Sequence, residues 1–239
     1  MIVLRSTLFE ILRAIATIVF SCIALLTFPF SALTRYRIIT LWNRFVIWSA
    51  RVICGIEYRV LGLENLPKQP AIVMAKHQSA WETIALPILL PPQAIVIKRE
   101  LLRVPFFGWG FAMLSPIAID RNAGKDALRQ ITERGRHRIA QGFWVLIFPE
   151  GTRVAPGTKG RYGIGGAWLA THTSTPVVPV AHNAGEVWPR HAFLKRPGTI
   201  TVSIGPVIES AGLKAGELNE KVEAWIEGEM EKIHGSGKR

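Results

Sequence analysis

The stretch WVLIFPEGTR, residues 144–153, changes character at its midpoint. WVLIF is apolar and rich in β-branched and aromatic residues, as in a buried strand, whereas PEGTR begins with a residue that favours turns. Six other runs resemble WVLIF: EYRVLG (57–62), AIVMA (71–75), AIVIK (94–98), SPIAID (115–120), PVVPVA (176–181) and TITVSIG (199–205). Helical patterns lie between several of them, at about residues 80–90, 101–112, 123–141, 164–173 and 214–234. This alternation predicts an α/β domain with a mainly parallel, mixed sheet of about seven strands flanked by helices.

Charged and polar residues directly follow four of these apolar runs. In a parallel sheet the active site lies beyond the carboxyl ends of the strands, so we expect these residues to meet at one edge. They are His77, Lys98, Arg121, Glu150, Gly151, Thr152 and Arg153. Arginine suits bidentate contact with phosphate, and glycine and threonine add backbone and hydroxyl donors. A lone arginine is more often a solvated surface charge, and PEGT forms a β-turn whether or not it binds a ligand. The predicted phosphate site therefore depends on several cations and donors following neighbouring strands together.

Residues 76–83 read KHQSAWET, in which Glu82 follows His77 by five positions. On one helix the two side chains would point about 140° apart, but they can meet if His77 lies in the loop before a helix and Glu82 in its first turn. Ser79 is then the expected N-cap, and S-x-x-E is a capping box, so Glu82 also has a purely structural explanation. If the pair forms, the carboxylate orients the imidazole and leaves its other nitrogen as a general base.

The sequence contains no clear protein nucleophile for such a base. It has no G-x-S-x-G turn, and both cysteines, Cys22 and Cys54, lie in the apolar N-terminal segments. The hydroxyl that the base activates is therefore expected to belong to the substrate. His182 and the remaining histidines have no carboxylate at a comparable spacing, and we assign them no role.

The N-terminal part of the chain differs from the rest. Residues 14–34 carry no charge over a length that is about enough to cross a hydrocarbon core. Residues 37–56 combine tryptophans with three arginines spaced by seven, which would form one stripe on a helix lying in a membrane interface. These are Arg37, Arg44 and Arg51. We predict a membrane-attached helical hairpin over residues 1–56 and one α/β domain over residues 57–239, with a buried core helix as the alternative for residues 37–56.

The chain is basic and apolar, with a formal net charge of +12 and 49% hydrophobic residues. This combination indicates an anionic partner, which is a nucleic acid, an anionic bilayer or a phosphorylated substrate. Nucleic acid is disfavoured because the cations follow strands beside carboxylates and the aromatic residues fall mostly in apolar segments. The run RGRHR (134–138) is expected to be a solvated helix face, with anionic lipid or an acidic carrier protein as the alternative partner.

Together these motifs resemble the glycerolipid acyltransferase family, and within it the 1-acyl-sn-glycerol-3-phosphate acyltransferases. That family carries histidine, four residues and aspartate, then an arginine after an apolar strand, then F-P-E-G-T-R, then an apolar stretch around a proline. The matching segments are HQSAWE (77–82), IAIDR (117–121), FPEGTR (148–153) and VVPVA (177–181). The resemblance covers roughly residues 57–205, and the departure from it is Glu82 in place of aspartate.

The resemblance implies transfer of a fatty acyl group to the sn-2 hydroxyl of lysophosphatidic acid. Acyl-CoA or acylated acyl carrier protein would be the co-substrate, with no cofactor and no metal. His77 would be the general base and Glu82 would orient it. The glycerol phosphate would be bound by Arg121, Glu150, Gly151, Thr152 and Arg153, with Lys98 as a weaker candidate. The expected location is a bacterial inner membrane, with the site on the cytoplasmic side.

Three other functions stay open at this point. One is an acyltransferase or transacylase that acts on another lyso-lipid, for example a lyso-ornithine lipid. Another is a lipid hydrolase that uses the His77–Glu82 pair on water. The third is a binding protein without catalytic activity, which the placement of the cations disfavours.

Overall fold

The computed structural model describes residues 1–120 and 123–236. Within these residues seven strands form one sheet: β1 (Ile56–Leu61), β2 (Ile72–Ala75), β3 (Gln93–Lys98), β4 (Ile117–Ile119), β5 (Trp144–Ile147), β6 (Val177–His182) and β7 (Gly198–Ile204). Their order across the sheet is β1-β7-β6-β2-β5-β3-β4. All neighbouring strands are parallel except β6 and β7. The predicted mainly parallel mixed sheet is confirmed, and each strand lies close to its apolar run.

Helices cover both faces of the sheet. They are α1 (Ile2–Leu26), α2 (Ala32–Cys54), α3 (Trp81–Leu89), α4 (Phe107–Ala112), α5 (Lys125–Ala140), α6 (Gly165–Thr173), α7 (Ala184–Val187) and α8 (Ala215–Ser236). Helices α2, α3 and α7 pack on one face, and α5, α6 and α8 pack on the other. Alternate residues of β2 enter the two cores, with Val73 and Ala75 on the first side and Ile72 and Met74 on the second. Because both faces are buried, the strand is apolar throughout.

The order of the strands brings three chain segments to one edge of the sheet. Strand β2 lies between β6 and β5, with Met74 beside Ile147 and Ala75 beside Val180. The chain therefore leaves β2, β5 and β6 at adjacent points. The segment after β2 contains KHQSAWET, and the segment after β5 contains PEGTR.

The N-terminal hairpin consists of α1 and α2, joined by residues 27–31. The structure differs from the expected apolar segment over residues 14–34, because α1 begins earlier and the chain turns around Pro29. Pro29 has no N–H to donate and its ring disfavours continuation of the preceding helix, and Ser31 then caps α2 by accepting the N–H of Thr34 at 3.3 Å. Among the described residues, α1 is the one helix long and apolar enough to cross a membrane.

Helix α2 buries one side in the core of the sheet. Tyr36 Oη donates to the carbonyl of Pro87 at 2.8 Å, and Asn43 Nδ2 donates to that of Ile84 at 2.8 Å. Its apolar residues Val46, Ile47, Ala50 and Cys54 belong to the same core cluster as β2 and α3. The stripe of Arg37, Arg44 and Arg51 lies on the exposed side. The helix thus combines the packing of a core helix with a basic outer face.

The helix predicted over residues 101–112 is not continuous. A 3₁₀ turn covers Arg99–Arg103, and α4 begins only at Phe107. Pro105 lies between them and disfavours a helical conformation in the residue before it. Phe106 adopts a φ of 60°, which completes the break.

Candidate active site

His77 lies in the loop between β2 and α3, as the sequence predicts. Its Nδ1 is 2.8 Å from Glu82 Oε1, and its ring stacks on Phe148 with centroids 4.2 Å apart and planes at 18°. Its backbone is held as well, because its N–H donates to Glu150 Oε2 at 2.9 Å and its carbonyl accepts from Val154 N–H at 2.8 Å. The side chain is 13% exposed and lines a cavity. The ring is thus fixed on one edge and one face while it stays accessible.

Glu82 starts the helix and orients the histidine at the same time. Its Oε1 accepts from His77 Nδ1 and from the N–H groups of Gln78 (2.9 Å) and Ser79 (2.8 Å). The cap itself differs from the prediction, because Ala80 is the N-cap and the Ser79 hydroxyl accepts from Trp81 N–H at 3.0 Å. The structural and functional explanations of Glu82 are therefore compatible.

The electrostatics keep Glu82 ionised. Its side chain is completely buried, and burial alone would raise its pKa. The His182 and His77 rings and the N–H of Ser79 outweigh burial, so the pKa of the Glu82 carboxyl lies below its usual value. A carboxylate only accepts hydrogen bonds, so the proton of a neutral His77 belongs on Nδ1. Its Nε2 then carries the lone pair, as a general base requires.

A cavity of about 840 Å³ opens at His77. Four residues from the predicted phosphate site line it: Lys98, Gly151, Thr152 and Arg153. Arg121 lies outside the described residues. The cavity continues between the hairpin and the sheet, among side chains that include Phe20, Ile39, Ile84 and Phe111. The lining of one cavity therefore combines cationic and polar side chains with apolar ones.

Glu150 is buried among protein donors. Its Oε1 accepts from Lys76 Nζ at 2.8 Å and from Gly160 N–H at 3.0 Å, and its Oε2 accepts from His77 N–H. The side chain is 0% exposed. Its contacts thus fix the PEGTR turn against the His77 loop, and direct contact of Glu150 with substrate stays a prediction.

Lys76 is a site residue that the sequence reasoning missed. Its side chain is 1% exposed, and its ammonium also donates to Glu227 Oε1 at 2.8 Å and to the Thr158 carbonyl at 3.2 Å. Tyr162 Oη donates to the same Glu227 oxygen at 2.7 Å. A buried charge is tolerated when its donors are satisfied, as they are here. The signal in the sequence was a lysine that directly follows a fully apolar strand.

Helix α1 contributes polar and charged side chains to the wall of the cavity. Glu10 and Arg13 line the cavity and pair with each other, and Lys195 Nζ also pairs with Glu10. The hydroxyl of Ser6 accepts the N–H of Lys195 at 3.0 Å. The first helix is therefore tied to the loop that follows α7. No group of three or more His, Cys, Asp or Glu side chains that could hold a metal ion occurs in the part of the chain that the structure describes.

Comparison with known proteins identifies the family. The sequence model of the family described as Acyltransferase matches residues 57–183. The chain is 46% identical over 237 residues to the 1-acyl-sn-glycerol-3-phosphate acyltransferase of Pseudomonas aeruginosa, covering 96% of this chain and 91% of that protein. It is 32% identical to the 1-acyl-sn-glycerol-3-phosphate acyltransferase of Saccharomyces cerevisiae over 72% of this chain and 59% of that protein.

A solved structure shares the fold. The crystal structure of the 1-acyl-sn-glycerophosphate acyltransferase PlsC from Thermotoga maritima matches with a TM-score of 0.81 at 22% identity, over 98% of this chain and 96% of that one. This chain therefore belongs to the acyltransferase family, and its resemblance to the 1-acyl-sn-glycerol-3-phosphate acyltransferases is confirmed.

Proposed function

We propose that this chain transfers a fatty acyl group from a thioester donor to the sn-2 hydroxyl of lysophosphatidic acid, giving phosphatidic acid, with His77 as general base. The names of its relatives support this reaction. The observation that carries the mechanism is the 2.8 Å contact between His77 Nδ1 and a buried carboxylate, in a cavity whose lining includes both His77 and Arg153.

The reaction requires one proton to move twice. His77 Nε2 takes the proton of the acceptor hydroxyl while that oxygen attacks the thioester carbonyl carbon. The tetrahedral intermediate then collapses, the C–S bond breaks, and the imidazolium returns the proton to the leaving thiolate. Glu82 stabilises the imidazolium in both steps, since its charge is buried and aligned with Nδ1. The products are an ester and a free thiol, without an acyl-enzyme.

The cations that line the cavity would provide the contacts for the acceptor phosphate. Arg153 can bind it as a fork, with Lys98 and the Thr152 hydroxyl in the same lining. The Gly151 N–H already donates to the Phe148 carbonyl at 3.0 Å, and contact of the Gly151 backbone with phosphate stays a prediction. Arg121 belongs to this predicted set but lies outside the described residues. For Glu150 we propose a supporting role. It lies in the loop that carries Arg153, and its carboxylate accepts the N–H of His77 from the neighbouring loop and the N–H of Gly160 from its own.

The hairpin would bring this site to the bilayer. Helix α1 leaves many apolar side chains exposed, among them Leu4, Leu8, Ile11 and Ile15. We propose residues 1–56 as the membrane-attached segment and residues 57–239 as the acyltransferase domain, on the cytoplasmic side of a bacterial inner membrane. The donor is acyl-CoA or acylated acyl carrier protein, and the apolar interior of the cavity would receive acyl chains.

The test compares wild type with His77→Ala in detergent, with lysophosphatidate and either donor, and with phosphatidate measured by mass spectrometry. We expect the variant to lose a factor of about 10²–10⁴ in rate, which is typical of a positioned general base. His137→Gln is the matched control, because His137 is exposed on α5. Equal product from wild type and His77→Ala would reject the mechanism. Fatty acid release without acceptor would indicate a hydrolase instead, and product only with another lyso-lipid would change the acceptor.

A further inference from the structure

His182, the last residue of β6, is completely buried behind the His77–Glu82 pair. Its Nε2 is 2.8 Å from the carbonyl oxygen of Lys76, and its Nδ1 accepts the N–H of Ala184 at 3.2 Å. A carbonyl only accepts and a backbone N–H only donates, so these two partners fix the ring as the neutral tautomer with its proton on Nε2. Burial lowers the pKa of this imidazole more than the Glu82 carboxylate raises it, which agrees with a neutral ring.

The second oxygen of Glu82 has no hydrogen-bond partner among the described residues. Oε1 accepts three hydrogen bonds, whereas the buried Oε2 accepts none. This oxygen is 4.0 Å from His182 Nε2. The distance is too long for a hydrogen bond, and the Nε2 proton is directed at the Lys76 carbonyl, but the partial positive charge of this N–H still acts on a buried carboxylate at close range. His182 thus places a partial positive charge 4.0 Å from the carboxylate oxygen that does not contact His77.

This arrangement depends on glutamate at position 82, where the resemblance leads one to expect aspartate. An aspartate at position 82 would be shorter by one C–C bond, about 1.5 Å, so from the same backbone position we expect it to lose either the His77 contact or the 4.0 Å approach to His182. The same histidine also holds the carbonyl of Lys76, the residue immediately before His77.

We infer that His182 is a positioning residue for the acyl transfer, acting through Glu82 and through the Lys76 carbonyl to hold the imidazole of His77. It does not touch the substrate, because it is completely buried. The charged and titratable groups around it are Glu82 from α3, Lys76 and His77 from the loop after β2, and Glu150 from the loop after β5. The inference rests on the proposed function for its kinetic consequence and on the contacts above for its geometry.

A double-mutant cycle separates positioning from a simple structural contact. We expect His182→Leu to lower kcat about tenfold with the KM for lysophosphatidate within about twofold of wild type, as for directly coupled neighbours. His182→Gln, which can keep an N–H donor near Nε2, should recover most of that loss. In a Glu82→Asp background, His182→Leu should lower kcat only about twofold, because the shorter aspartate side chain no longer approaches His182. An equal loss in both backgrounds, or no loss in wild type, would overturn the inference.

A second measurement does not depend on activity or on the folding of the leucine variant. In ¹⁵N-histidine NMR of the detergent-solubilised protein, we expect His182 as a neutral Nε2–H tautomer, with its ring signals shifted by Glu82→Asp. His137→Gln, the exposed control, should leave them unchanged. A charged His182, or His182 signals identical in wild type and Glu82→Asp, would reject the contact. If wild type makes no phosphatidate but the NMR result holds, the proposed function fails and the geometry stands.

Discussion

Replacing Glu82 by glutamine removes one buried negative charge and changes the shape of the side chain very little. Oε1 accepts three N–H groups in the native protein, and a glutamine carbonyl oxygen can still accept all of them. The start of α3 should therefore persist. What the variant loses, under the proposed mechanism, is the charge that would stabilise the His77 imidazolium. Its new amide N–H₂ would also lie near the His182 N–H, where a carboxylate oxygen now lies.

The expected loss follows from the strength of the His77 contact. A neutral hydrogen bond contributes about 1 kcal/mol net and one to a charged group about 1.5–3 kcal/mol. Losing the charge should therefore raise the barrier by about 0.5–2 kcal/mol. This corresponds to a decrease in kcat of roughly 2- to 30-fold, which is less than the loss expected for His77→Ala.

The assay is phosphatidate formation at saturating substrates, with thermal unfolding of each variant measured in parallel. Glu82→Asp serves as the control that keeps the charge, and its loss should not exceed the roughly fivefold share that the His182 cycle assigns to the longer side chain. If Glu82→Gln has wild-type kcat and an unchanged unfolding midpoint, Glu82 only caps the helix and the orientation of His77 has another cause.

Three further predictions concern the surrounding charges. Lys76→Met leaves the buried Glu150 carboxylate without the ammonium group of Lys76, so the free energy of unfolding measured in urea should fall by about 3–5 kcal/mol. A change near zero would mean that the ion pairs of Lys76 with Glu150 and Glu227 do not stabilise the fold. Arg153→Ala should raise the KM for lysophosphatidate about tenfold or more while the KM for the donor stays unchanged; a rise for the donor alone would move the phosphate site elsewhere. Because the folded pKa of Glu82 lies below its ordinary 4.5, its contribution to stability is present above that pH and is lost as the pH falls further. Unfolding midpoints measured from pH 7 down to 3 should therefore fall more steeply for wild type than for Glu82→Gln, and parallel curves would contradict the assignment.

The sheet and the polar edge of the site could be predicted because both follow from local sequence. The inner strands β2, β5 and β6 are buried along their whole length, so each appears in the sequence as an unbroken apolar run with a polar residue soon after it. Parallel strands place those following residues together, and His77, Lys98 and Arg153 line one cavity as a result. The HQSAWE spacing was also informative, since a loop position and a first-turn position can be five residues apart and still touch.

The supporting charges could not be predicted, because their partners are far apart in the chain. Lys76 pairs with Glu227 on the last helix, and His182 approaches Glu82 only after β6 has docked beside β2. A buried lysine reads as a surface residue until its acceptors are known. Similarly, the carboxylate of Glu150 looked like a ligand in the sequence, and only the fold shows that protein donors surround it.

The packing of the hairpin has a practical consequence for producing this protein. Because α2 fills part of the main core and α1 forms part of the cavity wall, a soluble fragment made by deleting the first 56 residues would lose a structural layer. Such a truncation would expose the apolar side of α3 that Tyr36 and Asn43 now cover, next to the turn that carries Glu82. Expression strategies should therefore retain the full N-terminus and supply detergent or lipid for its outer surface, because the truncated chain would aggregate through its own exposed core.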